Sequence, residues 1–517
     1  MKGFRYAFSV VLAIVILTFT GCKKDKDKNG IPDKFQIDST KIGGFFDKHP
    51  DFKDYQKDIN ELYKKQNYQF VWYDESGRID FAEVLYDKAR KLGTEGITVS
   101  LPYKEEFEDL FSDDKKKPNL HKEMLISAMY FFYAKKVFEG IDPKQSKQLG
   151  WYLPREKKSY VSYLDELIAD NDLIEKDTDK NIALYYNLKK GLQNFQTIAK
   201  KGGWGTVALG DGVKSLKIGD KGTSVMQLRK RLFLSGELKS DSGISEFDSE
   251  LKEAVIAYQN KVNVKADGIV SPDLVKSLNV PVATRIKTII VNMERCRWLS
   301  SDVTEAKEFI SVNIPAFKMR YVRDGKTALE SNVVVGDEGN KTVVFSGKMS
   351  YLVFSPYWNI PKSIIAKEIN PGIEKDENYL EKHNMEWNDG NVRQKPGKDN
   401  SLGLVKFMFP NSNNIYLHDT PAKSLFKKED RALSHGCVRV EKARELAILI
   451  LDEDKTWDSK KIDEAMNSGT EVNHPLKRKI PVYIAYFTAI ADEAGNITFY
   501  EDIYGRDSRL AKMLYKD

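Results

Sequence analysis

Apolar residues recur at helical spacing from residue 41 to about 200. Residues 80–92 combine an acidic first turn, apolar positions three and four apart, and a glycine stop at Gly93. Residues 120–140 repeat the pattern with Met124, Leu125, Ala128, Met129, Phe132 and Val137. Residues 164–168 and 182–195 add more helix. The aromatic run Phe131, Phe132, Tyr133 and Phe138 reads as core, with a ligand groove as the alternative. No catalytic constellation stands out here. Gly202-Gly203-Trp204-Gly205 and Gly210-Asp211-Gly212 then break the pattern. Residues 213–280 return as a compact helical unit, with helices predicted over 224–232, 247–259 and 267–278. From about 309 the period shortens. β-branched and aromatic runs at 309–315, 331–336, 348–354, 404–409, 415–417 and 481–490 predict strands. The last leads through Ala494-Gly495-Asn496 to 497–500, a hairpin signal. Residues 367–401 are polar with scattered Gly, Pro and Asn, and read as an insertion or flap. Residues 441–452 are one apolar-periodic helix.

The pattern predicts a multidomain α+β chain, mostly helical first and mainly β afterwards. Its 517 residues suit roughly three domains. Charged residues are 31% and apolar ones 41%, a globular balance. Three cysteines, Cys22, Cys296 and Cys437, are too few for a disulfide framework or a multi-cluster zinc protein.

Lys2 and Arg5 precede an uncharged stretch, Tyr6 to Gly21, too short to span a bilayer but suited to a signal-peptide core. It ends Phe19-Thr20-Gly21-Cys22 before Lys23 and Lys24. This resembles a bacterial lipoprotein lipobox, which implies lipidation of Cys22, a removed signal peptide (1–21) and a tether (22–40). An uncleaved anchor is the alternative. Either places the rest outside the cytoplasm on a membrane, and the periplasm of a Gram-negative bacterium is the expectation. Removal of 1–21 lowers the formal charge from +6 to +4. With signs this mixed, nothing argues for nucleic acid. Asp25-Lys26-Asp27-Lys28-Asn29-Gly30 begins like a calcium loop, but its twelfth position is Gln36 instead of glutamate. A solvated tether is the simpler reading.

The densest chemistry is Tyr416-Leu417-His418-Asp419-Thr420-Pro421 followed by Leu433-Ser434-His435-Gly436-Cys437-Val438-Arg439. If 433–440 is one extended strand, His435, Cys437 and Arg439 share a face. His418, at the end of its own strand, would come alongside. Three chemistries compete. A zinc site would use His418, His435, Cys437 and Asp419. A disulfide would join Cys296 to Cys437. A cysteine nucleophile activated by histidine would perform acyl transfer, and this accounts best for the residues.

Histidine followed by Ser434-His435-Gly436-Cys437-Val438-Arg439 resembles the signature of the L,D-transpeptidase catalytic domain (YkuD-like fold). Supporting stretches are Asn292-Met293-Glu294-Arg295, Pro356-Tyr357-Trp358-Asn359-Ile360-Pro361, Asn400-Ser401-Leu402-Gly403, Lys406-Phe407 and 499–504. Gly222, Val225, Leu228, Tyr258, Gln259, Asp267 and Gly268 resemble the pattern of a three-helix peptidoglycan-binding module. Together they resemble the large, YcbB-like branch of the family. That implies a helical scaffold (41–205), a wall-binding module (213–280) and a catalytic domain (285–517) with a capping insertion (367–401). The resemblance implies Cys437 as nucleophile, His418 as general base, the Asp419 backbone carbonyl as its orienter, and His435 and Gly436 at the oxyanion. Arg439, Tyr416 and Ser434 become substrate-binding candidates. It further implies donor and acceptor peptidoglycan stem peptides as partners, 3→3 cross-linking with release of D-alanine, acylation by carbapenems, and no metal or other cofactor. Water as acceptor would give an L,D-carboxypeptidase, a D-amino acid an exchange enzyme, and loss of catalysis a wall-binding lipoprotein. Cys296 reads as a buried structural thiol.

Overall fold

The computed structural model describes residues 35–515, apart from 113–114, 116, 156–157, 170–180, 301–302 and 304–305. The signal-peptide, lipidation and calcium readings on residues 1–34 lie outside the described residues.

The first helices are Ile42–Lys48, Gln56–Lys65, Asp80–Ala89, Lys104–Ser112, Leu120–Ala134 and Tyr160–Ala169. They enclose one core around Leu120–Ala134, which is buried on every side from Glu123 onward. That all-round burial explains why Phe131, Phe132 and Tyr133 are core and line no groove. The α-helix stops at Ala89, before the expected stop at Gly93. A 3-10 turn follows Asp80–Ala89, and Gly96 provides the left-handed cap.

Helix Ala183–Lys200 belongs elsewhere. Periodicity grouped it with the preceding helices, but its Tyr185, Leu188, Leu192 and Phe195 join the core of the β-domain. It packs along Val282–Arg297. Between these two helices the chain leaves to form the module, with helices Thr223–Ser235, Ser249–Lys261 and Pro272–Leu278 around their own core. Residues 267–271, expected as helix, form the turn before Ser271 caps the last one.

The helical and β halves meet at a buried polar seam on Val282–Arg297. Glu294 accepts from the Ile141 amide (2.6 Å) and Trp298 Nε1 (2.8 Å) and pairs with Arg297 (3.0 Å). Arg297 also donates to the carbonyls of Val137 (2.9 Å) and Glu95 (2.6 Å). A buried charge pair is stable only when its remaining donors and acceptors are met, as here. Cys296 lies beside them in the core as a free thiol, and burial pushes it far up.

The β-domain contains nine paired strands, here β1 Phe309–Asn313, β2 Lys318–Arg323, β3 Lys326–Gly336, β4 Phe345–Phe354, β5 Val405–Met408, β6 Leu417–His418, β7 Ala432–Ser434, β8 Val438–Val440 and β9 Val472–Ala485. Their order is β7-β3-β8-β6-β5-β4-β9-β1-β2, and β2 pairs again with β3. The sheet therefore closes on itself, which removes most free edges. Expected strand 481–490 divides at residue 486. Ala489–Ala491 forms a separate hairpin with Ile497–Phe499.

The insertion is folded. It begins earlier than residue 367, because Trp358–Asn359 pairs with Asn391–Gln394, which pairs with Met385–Asn388. Ile360, Ile364, Ile369, Met385 and Val392 form its core. The amide of buried Asn400 ties its ends, donating to the carbonyls of Pro356 (3.1 Å) and Lys395 (2.9 Å).

Gly140 tests the seam. Its φ is +74°, and an added Cβ would lie 2.1 Å from Glu294 Oε1. Gly140→Ala should cost about 2–4 kcal/mol in urea unfolding, with Gly93→Ala, which meets nothing within 4 Å, near neutral.

Candidate active site

The segment that carries Cys437 wraps the end of β3. β7 runs parallel to it, with Ala432 opposite Val335. β8 runs antiparallel, with Arg439 opposite Val334. Between them residues 435–437 bend sharply, and Gly436 has φ +109°. One extended strand over 433–440, with His435, Cys437 and Arg439 on one face, is therefore not what forms. A glycine at positive φ turns the chain where a strand would continue.

The bend is held from both sides. Ser434 Oγ donates to the Cys437 carbonyl (2.6 Å) and accepts from the Gly436 amide (3.2 Å). Thr342, fully buried, donates from Oγ1 to the Gly436 carbonyl (2.8 Å) and accepts from the Gly336 amide (2.9 Å). Tyr504 donates to the Gly336 carbonyl (2.6 Å). The hydroxyl of Ser434, expected at the substrate, is thus satisfied within the bend. The Gly436 amide, expected at the oxyanion, is engaged by Ser434.

His418 is buried on β6. β5 places Lys406 opposite it on one edge, and β8 places Arg439 opposite it on the other. Paired residues project to the same face, so Lys406, His418 and Arg439 form a row across three strands. His418 Nδ1 lies 2.5 Å from the Asp419 backbone carbonyl, which fixes the hydrogen on Nδ1. The Asp419 carboxylate accepts from the Leu404 amide (3.0 Å) and pairs with Lys423 (2.6 Å). Tyr416, two residues before His418, sets its ring 5.7 Å from the imidazole. Its backbone carbonyl accepts from the Val438 amide (3.1 Å), tying the two strands beside Cys437.

The half-buried Cys437 thiol donates to the Asn414 carbonyl (3.7 Å). Burial pushes the thiol up. Hydrogen bonds from the Tyr416 amide and hydroxyl, and the charges of Arg439 and Lys406, act against that. Burial and then Arg439 push His418 down to about 3, against its bonds to the Asp419 and Leu402 carbonyls. At neutral pH the resting pair is therefore a neutral thiol and a neutral imidazole. Arg439 Nε is buried without a hydrogen-bond partner.

His435 is exposed and pairs with Glu368 of the insertion at 3.0 Å. His418, His435, Cys437 and Asp419 do not gather closely enough to share one ion, and Cys296 and Cys437 are both free. Lys406, Thr342 and Glu368 were assigned no role from the sequence. Lys406 stood within a supporting stretch; Thr342 and Glu368 gave no signal.

Residues 307–473 match the L,D-transpeptidase catalytic domain (YkuD), and residues 57–192 match a Scaffold domain. Over residues 307–473 the chain is thus similar to YkuD L,D-transpeptidase catalytic domains. A Haemophilus influenzae protein named "Putative L,D-transpeptidase" is 39% identical over 222 residues, covering 39% of this chain and 45% of its own length. The chain thus spans less than half of that relative. Two solved L,D-transpeptidases also align. The Mycobacterium smegmatis enzyme is 12% identical, covering 35% of this chain and 59% of its own, with TM-score 0.21. The Stackebrandtia nassauensis enzyme is 16% identical, covering 53% and 96%, also with TM-score 0.21. Likeness at that level is too slight to bear on the fold. The matched span contains both His418 and Cys437.

The resting charges give a pH profile. Alkylation of Cys437 by iodoacetamide should be slow at pH 7 and rise about tenfold per pH unit from pH 6 to 8, read by mass spectrometry of its peptide. A plateau below pH 8 would mean that a thiolate–imidazolium pair already exists at rest.

Proposed function

We propose that this chain is a peptidoglycan L,D-transpeptidase that forms 3→3 cross-links through a Cys437 thioester. The observation that carries this reading is the convergence of three strands on one point. β8 follows the Cys437 bend and carries Arg439, β6 carries His418, and β5 carries Lys406.

A tetrapeptide stem enters beside the bend. Its binding excludes water, and His418, neutral at rest, takes the thiol proton as the sulfur attacks the carbonyl of the third residue. The oxyanion forms against the bend. Because the Gly436 amide is engaged by Ser434, His435 and the Cys437 amide are the donors. The imidazolium returns its proton to the departing D-alanine amine, leaving a thioester. The side-chain amine of a second stem attacks it while His418 takes a proton again. One amide is lost and one formed, so no external energy source is needed. Among the described residues neither Lys406 nor Arg439 has a carboxylate within ion-pair distance. These two cations flanking the base suit the carboxylates of a diaminopimelate-containing stem.

The module supports a wall-binding role. Of the twelve exposed large hydrophobics among the described residues, seven lie on it: Val213, Ile218, Met226, Phe233, Ile244, Val264 and Ile269. Export and lipid anchoring at Cys22 in the periplasm rest on the sequence of residues 1–22.

Incubation with purified tetrapeptide stems should yield dimers lighter by one alanine and one equivalent of D-alanine. Cys437→Ala should abolish them, and His418→Ala should slow them by about 10²–10⁴-fold. A monomeric tripeptide as the sole product would mean water is the acceptor, and no change in Cys437→Ala would refute the mechanism.

The insertion contacts the bend through Glu368 and is read as a lid that keeps water from the thioester. Replacing 361–393 with a short Gly-Ser linker should raise the ratio of hydrolysed to cross-linked product severalfold by chromatography. An unchanged ratio would remove the lid from the mechanism.

A further inference from the structure

A second cluster of ligating groups lies in the helical domain, far in sequence from Cys437. His49 follows Ile42–Lys48, Glu106 lies on Lys104–Ser112, and His121 lies in the first turn of Leu120–Ala134. One ligand atom from each lies within 4.8 Å of the other two. Spacings of 57 and 15 residues match no metal motif, so the cluster is invisible without the fold.

The hydrogen-bond inventory of His49 is the main observation. Its ring is buried and stacked on Phe45, centroids 4.3 Å apart. Nδ1 lies 3.0 Å from the Phe45 carbonyl. A carbonyl only accepts, so Nδ1 carries the hydrogen. In a neutral ring Nε2 is then a bare lone pair, yet it lies 3.0 Å from Glu106 Oε2. His121 Nε2 lies 3.3 Å from that same oxygen. Acceptor facing acceptor at this distance requires a cation, either a proton or a metal ion.

Two features favour the metal. A histidine whose far nitrogen donates to a backbone carbonyl has the outer-shell arrangement of metal-ligating histidines. Ligands about 2.0–2.1 Å from a tetrahedral ion lie about 3.3–3.4 Å from each other, close to both separations here.

We propose that His49, Glu106 and His121 bind one zinc-class divalent ion, with solvent as fourth ligand in the hollow lined by Asp109, Ser112 and Leu125. Two imidazoles and a carboxylate suit zinc over calcium or magnesium. The ion links three segments that are separate in sequence and so braces the helical domain.

The test uses the tag-free full chain, with zinc and then cobalt(II) as probes. After loading and dialysis, elemental analysis should find about one zinc per chain, and zinc should raise the melting temperature. Cobalt should give visible absorption of four-coordinate type. His121→Asn and Glu106→Gln change half-exposed side chains and should leave the fold intact by circular dichroism. Each should weaken zinc binding by at least about tenfold and abolish the melting shift, while alkylation of Cys437 stays unchanged. Less than stoichiometric zinc in the wild type would overturn the proposal and leave His49 as a histidinium paired with Glu106. Unchanged binding in both variants would overturn it equally, because the ion would then sit elsewhere.

Discussion

The position of Cys437 depends on how the chain passes over the end of one strand. Val333 and Val335 donate from the same edge of β3, the first to the Phe317 carbonyl and the second to that of Arg431. β7 therefore continues the edge where β2 leaves off, and β8 takes the opposite edge. The bend at 435–437 is the crossing between those edges. Thr342 and Tyr504 fix it through both Gly336 and Gly436, and Tyr486 donates to Asp502 (2.6 Å) while accepting from the Tyr504 amide (2.9 Å). These hydroxyls and amides meet acceptors in turn, so Cys437 is placed by a connected network and not by its neighbours in sequence alone.

The site's electrostatics follow from this burial. Desolvation favours the neutral forms of thiol and imidazole alike. Two cations then lie in a row with His418 and attract anions without forming a resting thiolate. The pair gains its charge only when a proton moves from thiol to imidazole, which protects the resting thiol from adventitious oxidation.

The motif residues were legible because their chemistry is local: a histidine at a strand end, and His-Gly-Cys before a strand. What could not be read was tertiary. Thr342 is one threonine among many until β3 folds beside it. Lys406 gains meaning only through its register with His418. The 433–440 run alternates like a strand, but positive φ at Gly436 breaks it, and periodicity does not report dihedral angles. Helix Ala183–Lys200 was visible as a helix, yet amphipathicity says that a face is buried without saying against what. The insertion read as a polar flap because its five core residues are spread over more than thirty positions.

The module's two chain connections are tied side by side. Trp204 donates to the Val280 carbonyl (3.1 Å), and Asn279 exchanges hydrogen bonds with both backbone groups of Val207 (2.8 Å each). The chain therefore leaves and returns at nearly one point, between two helices that pack together regardless. Such an attachment is modular in the genetic sense. A recombination event could insert, exchange or delete this unit at one junction, so the module and the β-domain are free to evolve at different rates.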